Sequence, residues 1–421
     1  MGTYLSRTPG SAGNRKTWTI SFWLKRSKVT SSEQAVFTQR IDSSNRFSFG
    51  VSGSGEFNVY NRVGGSTYSA TTTALHRDFS AWYHVVYKMD TTQASSSDRQ
   101  AIYVNGVEAS LQTDTVPSQN DDTAVNSTSE CMWGYWANSW GNTQNLDGYL
   151  AECYMIDGQA LTPTSFGETD STTGIWKPKT FSGSYGTNGF RLEFKNSGAL
   201  GTDTSGQSNT FSVSNADTSN QVVDTASNNF STFNPVVERP GDGLATFAQG
   251  ALEASGTSKM AFSSIALPSS GKWYAEFKAN AGSSTASVGL RDVDDYTADG
   301  NSNRLYYRND GQKDTGSGAS SYGSSWTTGD ILSIACNVDS NQVTFYKNGT
   351  AQDSGTAISQ NCANQYLMIA TAGGWSFQAN FGNPSFSISS GNADANGYGN
   401  FEYAVPSGYY ALCTENLNTY G

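Results

Sequence analysis

The chain has 421 residues; 14% of them are charged, 13% are aromatic, and the formal net charge at pH 7 is −11. This length predicts two or three domains, and the aromatic content excludes a disordered chain. The acidic balance argues against nucleic acid as a partner, and the lack of any apolar run of about 18 residues argues against membrane insertion.

The basic residues are concentrated at the start of the sequence. Residues 1–32 contain six of them and no acid, which leaves −17 on the remainder. The six are Arg7, Arg15, Lys16, Lys25, Arg26 and Lys28. Two interpretations stay open: a solvated strand edge, or a docking surface for an acidic partner.

The first strongly patterned segments alternate between apolar and polar residues. "TWTISFWLK" at Thr17–Lys25 and "AWYHVVYKMD" at Ala81–Asp90 both show the period of two that is typical of a half-buried strand. The predicted inward residues are Trp18, Ile20, Phe22 and Leu24 in the first segment and Tyr83, Val85, Tyr87 and Met89 in the second. Both segments are therefore predicted to cover one hydrophobic core.

Two similar phrases each predict a β-hairpin. "IYVNG" at Ile102–Gly106 and "FYKNG" at Phe345–Gly349 place Asn-Gly between β-prone runs. Asn and Gly both tolerate the positive φ that a type I′ turn requires. Because the surrounding residues differ, we interpret the phrases as one kind of hairpin used in two separate sandwiches, and we look for function elsewhere.

A tryptophan-rich segment, "CMWGYWANSWGN" at 131–142, is the first candidate binding site. Trp133 and Tyr135 share one strand face, so core packing and a ligand platform are both open for them. Aromatic faces pack against the C–H groups of sugars, and Asn side chains bond hydroxyl groups. The candidate ligand-binding residues are Trp136, Asn138, Trp140 and Asn142.

No catalytic set is visible, and we predict that the protein is not an enzyme. A retaining glycosidase needs two carboxylates about 5–5.5 Å apart, whereas Glu152 is followed on its strand face by Tyr154 and Ile156. His84 lies within a predicted strand, where a structural role is favoured over catalysis. No P-loop or GxGxxG motif occurs, so no cofactor is predicted.

The second half repeats the strand pattern. "GKWYAEFKA" alternates, with Trp273, Ala275 and Phe277 on one face, and no helical stripe occurs anywhere. The predicted fold is all-β, with two sandwiches joined by a Gly/Ser/Asn-rich linker. The expected boundaries are 1–228 for the first domain, 229–243 for the linker, 244–405 for the second domain and 406–421 for a C-terminal tail.

An acidic loop between two strands of the second domain is the other candidate site. Its candidate residues are Asp292, Asp294, Asp295, Tyr296 and Asp299. Clustered carboxylates suit calcium, but the spacing lacks the D-x-D-x-D-G pattern, so a solvated loop is favoured and no metal is predicted. A partner-binding role without metal also stays open.

The five cysteines are scattered without metal-ligand spacing, which favours reduced thiols over a zinc site. A bridge between Cys336 and Cys362 stays open.

Several of these stretches resemble known families. "WTISFWLKRS", "IYVNGVEAS" and "LDGYLAECYMIDGQALTP" resemble the laminin-G-like, concanavalin-A-like jelly roll. "SSGKWYAEF", "VGLRD" and "GDILSIACNVDSNQVTFYKNG" resemble the SPRY domain. Their order, with "GETDSTTGIWKPK" between them and "ALCTENL" near the end, resembles tail-fibre-like structural proteins of tailed bacteriophages.

The resemblance implies two jelly-roll β-sandwiches in a non-enzymatic virion protein that is made in the host cytoplasm without a signal peptide. It implies other virion proteins as partners, a homo-oligomer that we expect to be trimeric, and a host-surface glycan or receptor as ligand. Two alternatives stay open: a capsid decoration without a receptor role, and a polysaccharide depolymerase.

Overall fold

The computed structural model describes residues 2–28, 30–137, 143–216, 220–239, 241–282, 284–292, 304–371 and 373–421. The chain forms two compact units, Met1–Gln221 and Val222–Gly421. The all-β prediction is confirmed: within the described ranges the one α-helix is α1 at Thr414–Tyr420. None of the helices described is long and apolar enough to cross a membrane.

The first unit is a sandwich of two antiparallel sheets. Its strands are β1 (Tyr4–Arg7), β2 (Thr17–Arg26), β3 (Gln34–Arg40), β4 (Arg46–Val51), β5 (Phe57–Val63), β6 (Ser66–Thr72), β7 (Tyr83–Asp90), β8 (Gln100–Val104), β9 (Val107–Glu108), β10 (Leu111–Asp114), β11 (Cys131–Trp133), β12 (Tyr135–Ala137), β13 (Thr143–Asn145), β14 (Gly148–Asp157), β15 (Gly167–Thr169), β16 (Trp176–Pro178), β17 (Phe190–Leu192) and β18 (Ser212–Ser214). The eight-stranded sheet has the order β10-β6-β5-β4-β3-β11-β1-β18, and the six-stranded sheet has the order β17-β14-β2-β7-β8-β9. β12 with β13 and β15 with β16 form two-stranded hairpin pairs.

The core of this unit follows the predicted alternation. Trp18 and Phe22 of β2 face Phe47 and Phe49 of β4, with ring centroids 5.1 Å and 5.4 Å apart in edge-on geometry. Edge-on aromatic pairs add to the free energy gained from burying their area. The predicted inward residues of β2 are all buried in this core; in β7, Val85, Tyr87 and Met89 are buried there, and Tyr83 packs at its margin.

The second unit is also a sandwich. Its strands are β19 (Thr246–Ala248), β20 (Glu253–Gly256), β21 (Lys259–Phe262), β22 (Lys272–Ala281), β23 (Ala286–Arg291), β24 (Arg304–Arg308), β25 (Gln312–Asp314), β26 (Ala319–Ser321), β27 (Ile331–Asn337), β28 (Gln342–Lys347), β29 (Thr350–Ala351), β30 (Ile358–Ser359), β31 (Tyr366–Thr371), β32 (Trp375–Asn380) and β33 (Tyr410–Ala411). One sheet has the order β19-β20-β32-β22-β27-β28-β29, with β30 beside β28 and β33 beside β22; the other has the order β21-β31-β23-β24-β25-β26. Trp273, Ala275 and Phe277 of β22 are buried in its core, as the alternation predicts.

Both Asn-Gly turns have the predicted geometry. φ is positive at both central residues of each turn: +49° and +85° at Asn105 and Gly106, and +48° and +76° at Asn348 and Gly349. Each Asn side chain also accepts a hydrogen bond from a backbone N–H near the start of the adjacent strand: His84 N of β7 at 2.8 Å for Asn105, and Ile331 N of β27 at 2.9 Å for Asn348. In both hairpins, the Asn side chain of the turn is thus hydrogen-bonded to the adjacent strand.

The division between the units differs from the expected one. Residues 222–228 belong to the second unit, and so do residues 229–243, which we expected to be a linker. Phe230 and Phe233 are buried there. Their backbones form isolated antiparallel β-bridges, Phe230 with Cys413 and Phe233 with Ser263. The segment is polar in composition, but Phe233 packs in the main core of the second unit and Phe230 in a separate cluster with Tyr274 and Phe401. The C-terminal residues also fold onto this unit, because β33 pairs with β22.

All five cysteines are buried free thiols, so the bridge between Cys336 and Cys362 is not formed.

Candidate functional site

The outer face of β3, β4 and β5 carries the candidate site. Side chains alternate along each strand, and the odd-numbered residues of β4 and β5, such as Phe47, Phe49 and Phe57, lie in the core. Even-numbered residues therefore point away from the core. We call this surface the outer face; it comprises Thr38, Arg40, Arg46, Ser48, Gly50, Asn58, Tyr60 and Arg62.

At one end of the outer face, an arginine and two half-buried aromatic rings contact one another. The guanidinium carbon of Arg46 is 5.1 Å from the ring centroid of Tyr60 and 5.9 Å from that of Trp136. Arg46 Nη2 donates a 3.0 Å hydrogen bond to the Tyr60 hydroxyl, and the two ring centroids are 6.2 Å apart. Such contacts hold a guanidinium in one orientation.

The hairpin of β12 and β13 brings Trp136 to this surface. Gly134 has φ of +82° and donates from its backbone N to Val36 O, and Thr38 Oγ1 donates to Tyr135 O at 2.9 Å. Tyr135 is buried and stacks on Tyr4, with centroids 4.7 Å apart. Since neighbouring residues of a strand point to opposite sides, Trp136 is turned toward the outer face.

Three arginines lie in register across the strands at this end. Arg40 is the cross-strand partner of Arg46, and Arg46 is the partner of Arg62. Arg62 donates to two backbone carbonyls, and Arg40 Nε donates to the carbonyl of Asp42. In the part of the chain that the structure describes, no carboxylate forms an ion pair with Arg46 or Arg62.

The neighbouring arginines make the hydroxyl of Tyr60 more acidic, lowering its pKa. Burial of Tyr60 opposes ionisation, but the hydrogen bonds from Arg46 and Thr67 and the charges of Arg46 and Arg62 outweigh it, so the pKa of Tyr60 is lowered. The end of the outer face that carries Tyr60 is therefore electropositive, although the chain as a whole is acidic.

A polar pocket of about 490 Å³ lies beyond the other end of β4. It is lined by Gly2, Lys28, residues 30–34 and residues 144–147. Glu33 extends over the outer face at Gly50, where an added Cβ would lie 2.8 Å from Glu33 Oε1. A side chain at this position would thus displace the carboxylate from the sheet.

The pocket contains hydrogen-bond acceptors without partners. Glu33 Oε1, Gln34 Oε1 and Asn145 Oδ1 are buried, and no hydrogen-bond donor from the described residues reaches them. Burial raises the pKa of Glu33, and a hydrogen bond from Asn58 offsets part of this effect. Leaving a buried acceptor unsatisfied costs roughly 1–3 kcal/mol. All three residues line the pocket, so a ligand that supplies O–H or N–H donors can satisfy these acceptors once the side chains turn toward it.

Some residues predicted from the sequence belong to this site and others do not. Trp136 does, whereas Trp133 is fully buried in the core beside Phe22, which resolves its two interpretations in favour of packing. Asn138, Trp140 and Asn142 lie outside the described residues.

In the acidic loop, Asp292 is half-buried just after β23. Asp294, Asp295, Tyr296 and Asp299 lie outside the described residues. Among the residues that are described, no group of three or more His, Cys, Asp or Glu side chains is placed to hold a metal ion.

The six N-terminal basic residues do not form one exposed surface. Lys25 and Arg26 are at most 2% exposed, so the docking interpretation is wrong for these two. Arg26 donates to His76 O at 2.6 Å and lies over the ring of Phe79. Lys25 lies on the outer side of β2, which other segments of the unit cover, whereas Arg26 follows the inward side of Leu24 at the end of the strand. An alternation pattern alone does not reveal the cover of the outer side.

The other four are partly engaged. Arg7 donates to Asn209, and Arg15 donates to Thr123 O at 2.8 Å. Lys16 is half-buried, and Lys28 is exposed beside Asp147 at 3.8 Å. Lys28 alone of the six lines the polar pocket.

Glu152 has a neighbouring carboxylate that the strand pattern did not predict. Arg191 Nη2 lies 2.9 Å from Glu152 Oε2 and 2.7 Å from Glu193 Oε1. The hydroxyl of Tyr154 also donates to Glu152, at 2.8 Å. The guanidinium thus occupies the space between the two carboxylates in which a glycosidase holds its substrate. Glu152 itself has φ of +48° at an irregularity between β14 and β2.

His84 is a structural residue. Trp176 Nε1 donates to its Nδ1 at 2.9 Å, which leaves Nε2 as the protonated nitrogen that faces Ser21 Oγ at 2.9 Å. The imidazole stacks on the ring of Trp23, with centroids 4.8 Å apart, and the ring of Trp176 lies beside its edge. Burial lowers the pKa of His84 to about 3, so the ring is neutral at physiological pH.

Comparison with known proteins supports the fold of the first unit. Residues 2–166 match the family model of the concanavalin A-like lectin/glucanases superfamily. No curated protein sequence matches the chain.

Solved structures with detectable similarity cover one or both units. A putative carbohydrate binding protein from Bacteroides ovatus is 14% identical with a TM-score of 0.35; the match covers 51% of this chain and 57% of that one. The SPRY domain of human HERC1 is 16% identical with a TM-score of 0.28, over 35% and 96% of the two chains. Domains LG4-5 of mouse laminin alpha1 are 11% identical with a TM-score of 0.31, over 98% and 85%.

Proposed function

We propose that the protein is a non-enzymatic adhesin of a bacteriophage virion and that its first unit binds a host-surface polysaccharide at the two ends of the outer face. The observation that carries this proposal is the polar pocket with its unpartnered acceptors, Glu33 Oε1, Gln34 Oε1 and Asn145 Oδ1. Sugar hydroxyl groups are donors that can satisfy such acceptors, and each recovered hydrogen bond offsets part of the cost of burial.

The aromatic end of the outer face supports the same ligand class. The half-buried rings of Tyr60 and Trp136 offer apolar faces to the C–H groups of a sugar ring. Gly50 and Arg46 are four residues apart on β4, or about 13 Å at 3.3 Å per residue. Ser48, which lies between them, is fully buried, so the pocket and the rings are two separate contact points for one polysaccharide.

The virion assignment rests on the resemblance of the motifs, in their order, to tail-fibre-like phage proteins. We propose attachment to other virion proteins and assembly as a trimer. Immunogold labelling of purified particles tests the location, and light scattering tests the oligomer. Labelling of the capsid by antibodies that leave adsorption intact would replace the adhesin with a capsid decoration that has no receptor role.

Substitution of Trp136 tests the binding site. In titrations against purified surface polysaccharides of bacterial hosts, Trp136→Ala should weaken binding at least tenfold, because the ring loses its contact with the sugar. Tyr366→Ala removes a half-buried aromatic side chain from the second unit and is the matched control, which should bind as the wild type does. Equal binding by both variants would refute the site.

A depolymerase would behave differently. Release of reducing ends from the polysaccharide by the wild type, abolished in Glu152→Gln, would overturn the non-enzymatic assignment. We expect no release from either protein, because Arg191 occupies the space between Glu152 and Glu193.

A further inference from the structure

The row of arginines on the outer face is an unusual arrangement for strand neighbours. Directly opposite residues of adjacent strands have Cβ atoms about 4.5–5.5 Å apart, and like charges in such positions are destabilising. Arg40, Arg46 and Arg62 occupy opposite positions on three successive strands. The hydrogen bonds described for Arg46 and Arg62 all go to neutral oxygens.

The carboxylate of the nearby turn interacts with Arg40, but within the described residues it forms no ion pair with Arg46 or Arg62. Asp42 Oδ1 accepts hydrogen bonds from the backbone N of Ser44 at 2.7 Å and of Asn45 at 2.8 Å. These bonds, the one from the Asn45 side chain and the charge of Arg40 lower the pKa of Asp42. Asp42 is exposed, so water screens its charge from the neighbouring strands.

From this arrangement we propose that the arginine row binds the carboxylate of an acidic sugar, an inference that rests on the polysaccharide binding proposed above. Arg46 is the central group. Its Nη2 donates one hydrogen to Tyr60, its Nε is buried out of a ligand's reach, and no described residue accepts a hydrogen bond from its Nη1. Nη1 and the second hydrogen of Nη2 can donate to the two oxygens of a planar carboxylate.

The surroundings of Arg46 favour a charged sugar over a small free anion. Tyr60 and Trp136 lie against the guanidinium, so the ligand meets ring faces and a positive charge together. A sugar ring that carries a carboxylate offers apolar C–H groups to the aromatic rings and an anion to Arg46. An inorganic anion would use the charge and leave the rings exposed.

The opposite end of the outer face limits the charge of the ligand. The pocket holds two carboxylates, Glu33 and Asp147, and one cation, Lys28, which already lies 3.8 Å from Asp147. Together with the buried amide oxygens of Gln34 and Asn145, this lining disfavours a second anionic group. The chain also carries a net charge of −11, which disfavours a densely charged polyanion. The geometry therefore points to a polysaccharide in which acidic sugars alternate with neutral ones.

A pair of matched oligosaccharides tests this inference. The first probe alternates glucuronate with N-acetylglucosamine, and the second is the same oligosaccharide after reduction of its carboxyl groups to alcohols. We expect isothermal titration to show at least tenfold tighter binding of the acidic probe by the wild type, because only that probe can bind Arg46 through a carboxylate.

Three variants test whether the preference for the acidic probe depends on Arg46 and Arg62. Arg46→Gln should bind both probes equally, whereas Lys195→Gln, which removes one positive charge from an exposed position of the same unit, should keep the preference. Arg62→Gln keeps the Arg46–Tyr60 contact and should reduce the preference severalfold. Circular dichroism melting confirms that each variant is folded.

The outcomes distinguish a failure of carboxylate recognition from a failure of polysaccharide binding. Equal binding of both probes by the wild type would overturn the carboxylate inference and leave polysaccharide binding intact. Tighter binding of a heparin oligosaccharide than of the glucuronate probe would also overturn it, because heparin is densely charged and sulfated. If neither these probes nor any host polysaccharide binds, the proposed function fails as well.

Discussion

Burial of His84 makes the first unit sensitive to acid. Its ring is enclosed by Trp23 and Trp176, and its pKa falls from 6.5 to about 3. As the pH falls below 6.5, the unfolded chain binds a proton at this residue that the folded chain does not bind, so the free energy of unfolding decreases. The decrease continues until the pH approaches the folded-state value near 3.

The magnitude follows from the shift. Each pKa unit corresponds to 1.36 kcal/mol, so between pH 7 and pH 5 the folded state loses about 2 kcal/mol through His84. His84→Phe keeps an aromatic ring against Trp23 but cannot titrate. It should be less stable than the wild type at pH 7 by roughly 1–3 kcal/mol, since Trp176 Nε1 and Ser21 lose their partner.

Urea unfolding followed by tryptophan fluorescence at both pH values measures this effect. The loss of stability from pH 7 to pH 5 should be about 2 kcal/mol smaller in His84→Phe than in the wild type. Ile102→Val, a core substitution of the same unit, should lower stability by roughly 0.5–1.5 kcal/mol at both pH values. If the wild type and His84→Phe lose equal stability, the assignment of a neutral buried imidazole is refuted.

Two further predictions concern the second unit. Glu276 is fully buried and accepts hydrogen bonds from Glu402 N and Tyr403 N, both at 2.9 Å, and from two side chains. Glu276→Ala should therefore reduce the free energy of urea unfolding by about 3 kcal/mol, because several buried donors lose their acceptor; a loss below about 0.5 kcal/mol would contradict this role. Gly349→Ala should cost roughly 1–3 kcal/mol in the same assay, since φ is +76° and the new Cβ would lie 2.6 Å from the Tyr403 ring. Gly206→Ala in the first unit, with φ of +87° and no atom within 4 Å, isolates the backbone strain and should cost less.

Local patterns were enough to predict the strands and turns. The alternation in β2 and β22 predicted their inward residues because a strand repeats every two residues, whatever its partner is. Asn105–Gly106 and Asn348–Gly349 predicted type I′ turns, because φ preference is a property of the residues themselves. Trp136 was predicted as a ligand-binding residue from its place in an aromatic-rich segment, and it lies on the outer face.

Most of the candidate site was missed, although part of its signal was present. "RFSFG" at 46–50 and "FNVYNRV" at Phe57–Val63 alternate, and this pattern could have marked Arg46, Tyr60 and Arg62 as outward residues. It could not have placed them side by side, because the register of β3, β4 and β5 depends on pairing between strands. Glu33 was not singled out at all.

The sequence by itself thus determined the all-β class, the two sandwiches, the inward faces of the long strands and the geometry of both Asn-Gly turns, since these depend on residues close together in the chain. Only the tertiary structure decided the rest. Burial of Lys25 and Arg26 depends on segments that pack against β2, and the cluster of Arg46, Tyr60 and Trp136 depends on strand register and on a hairpin that starts more than 70 residues away. Contacts of this kind are set by packing between distant segments, which local residue preferences do not encode.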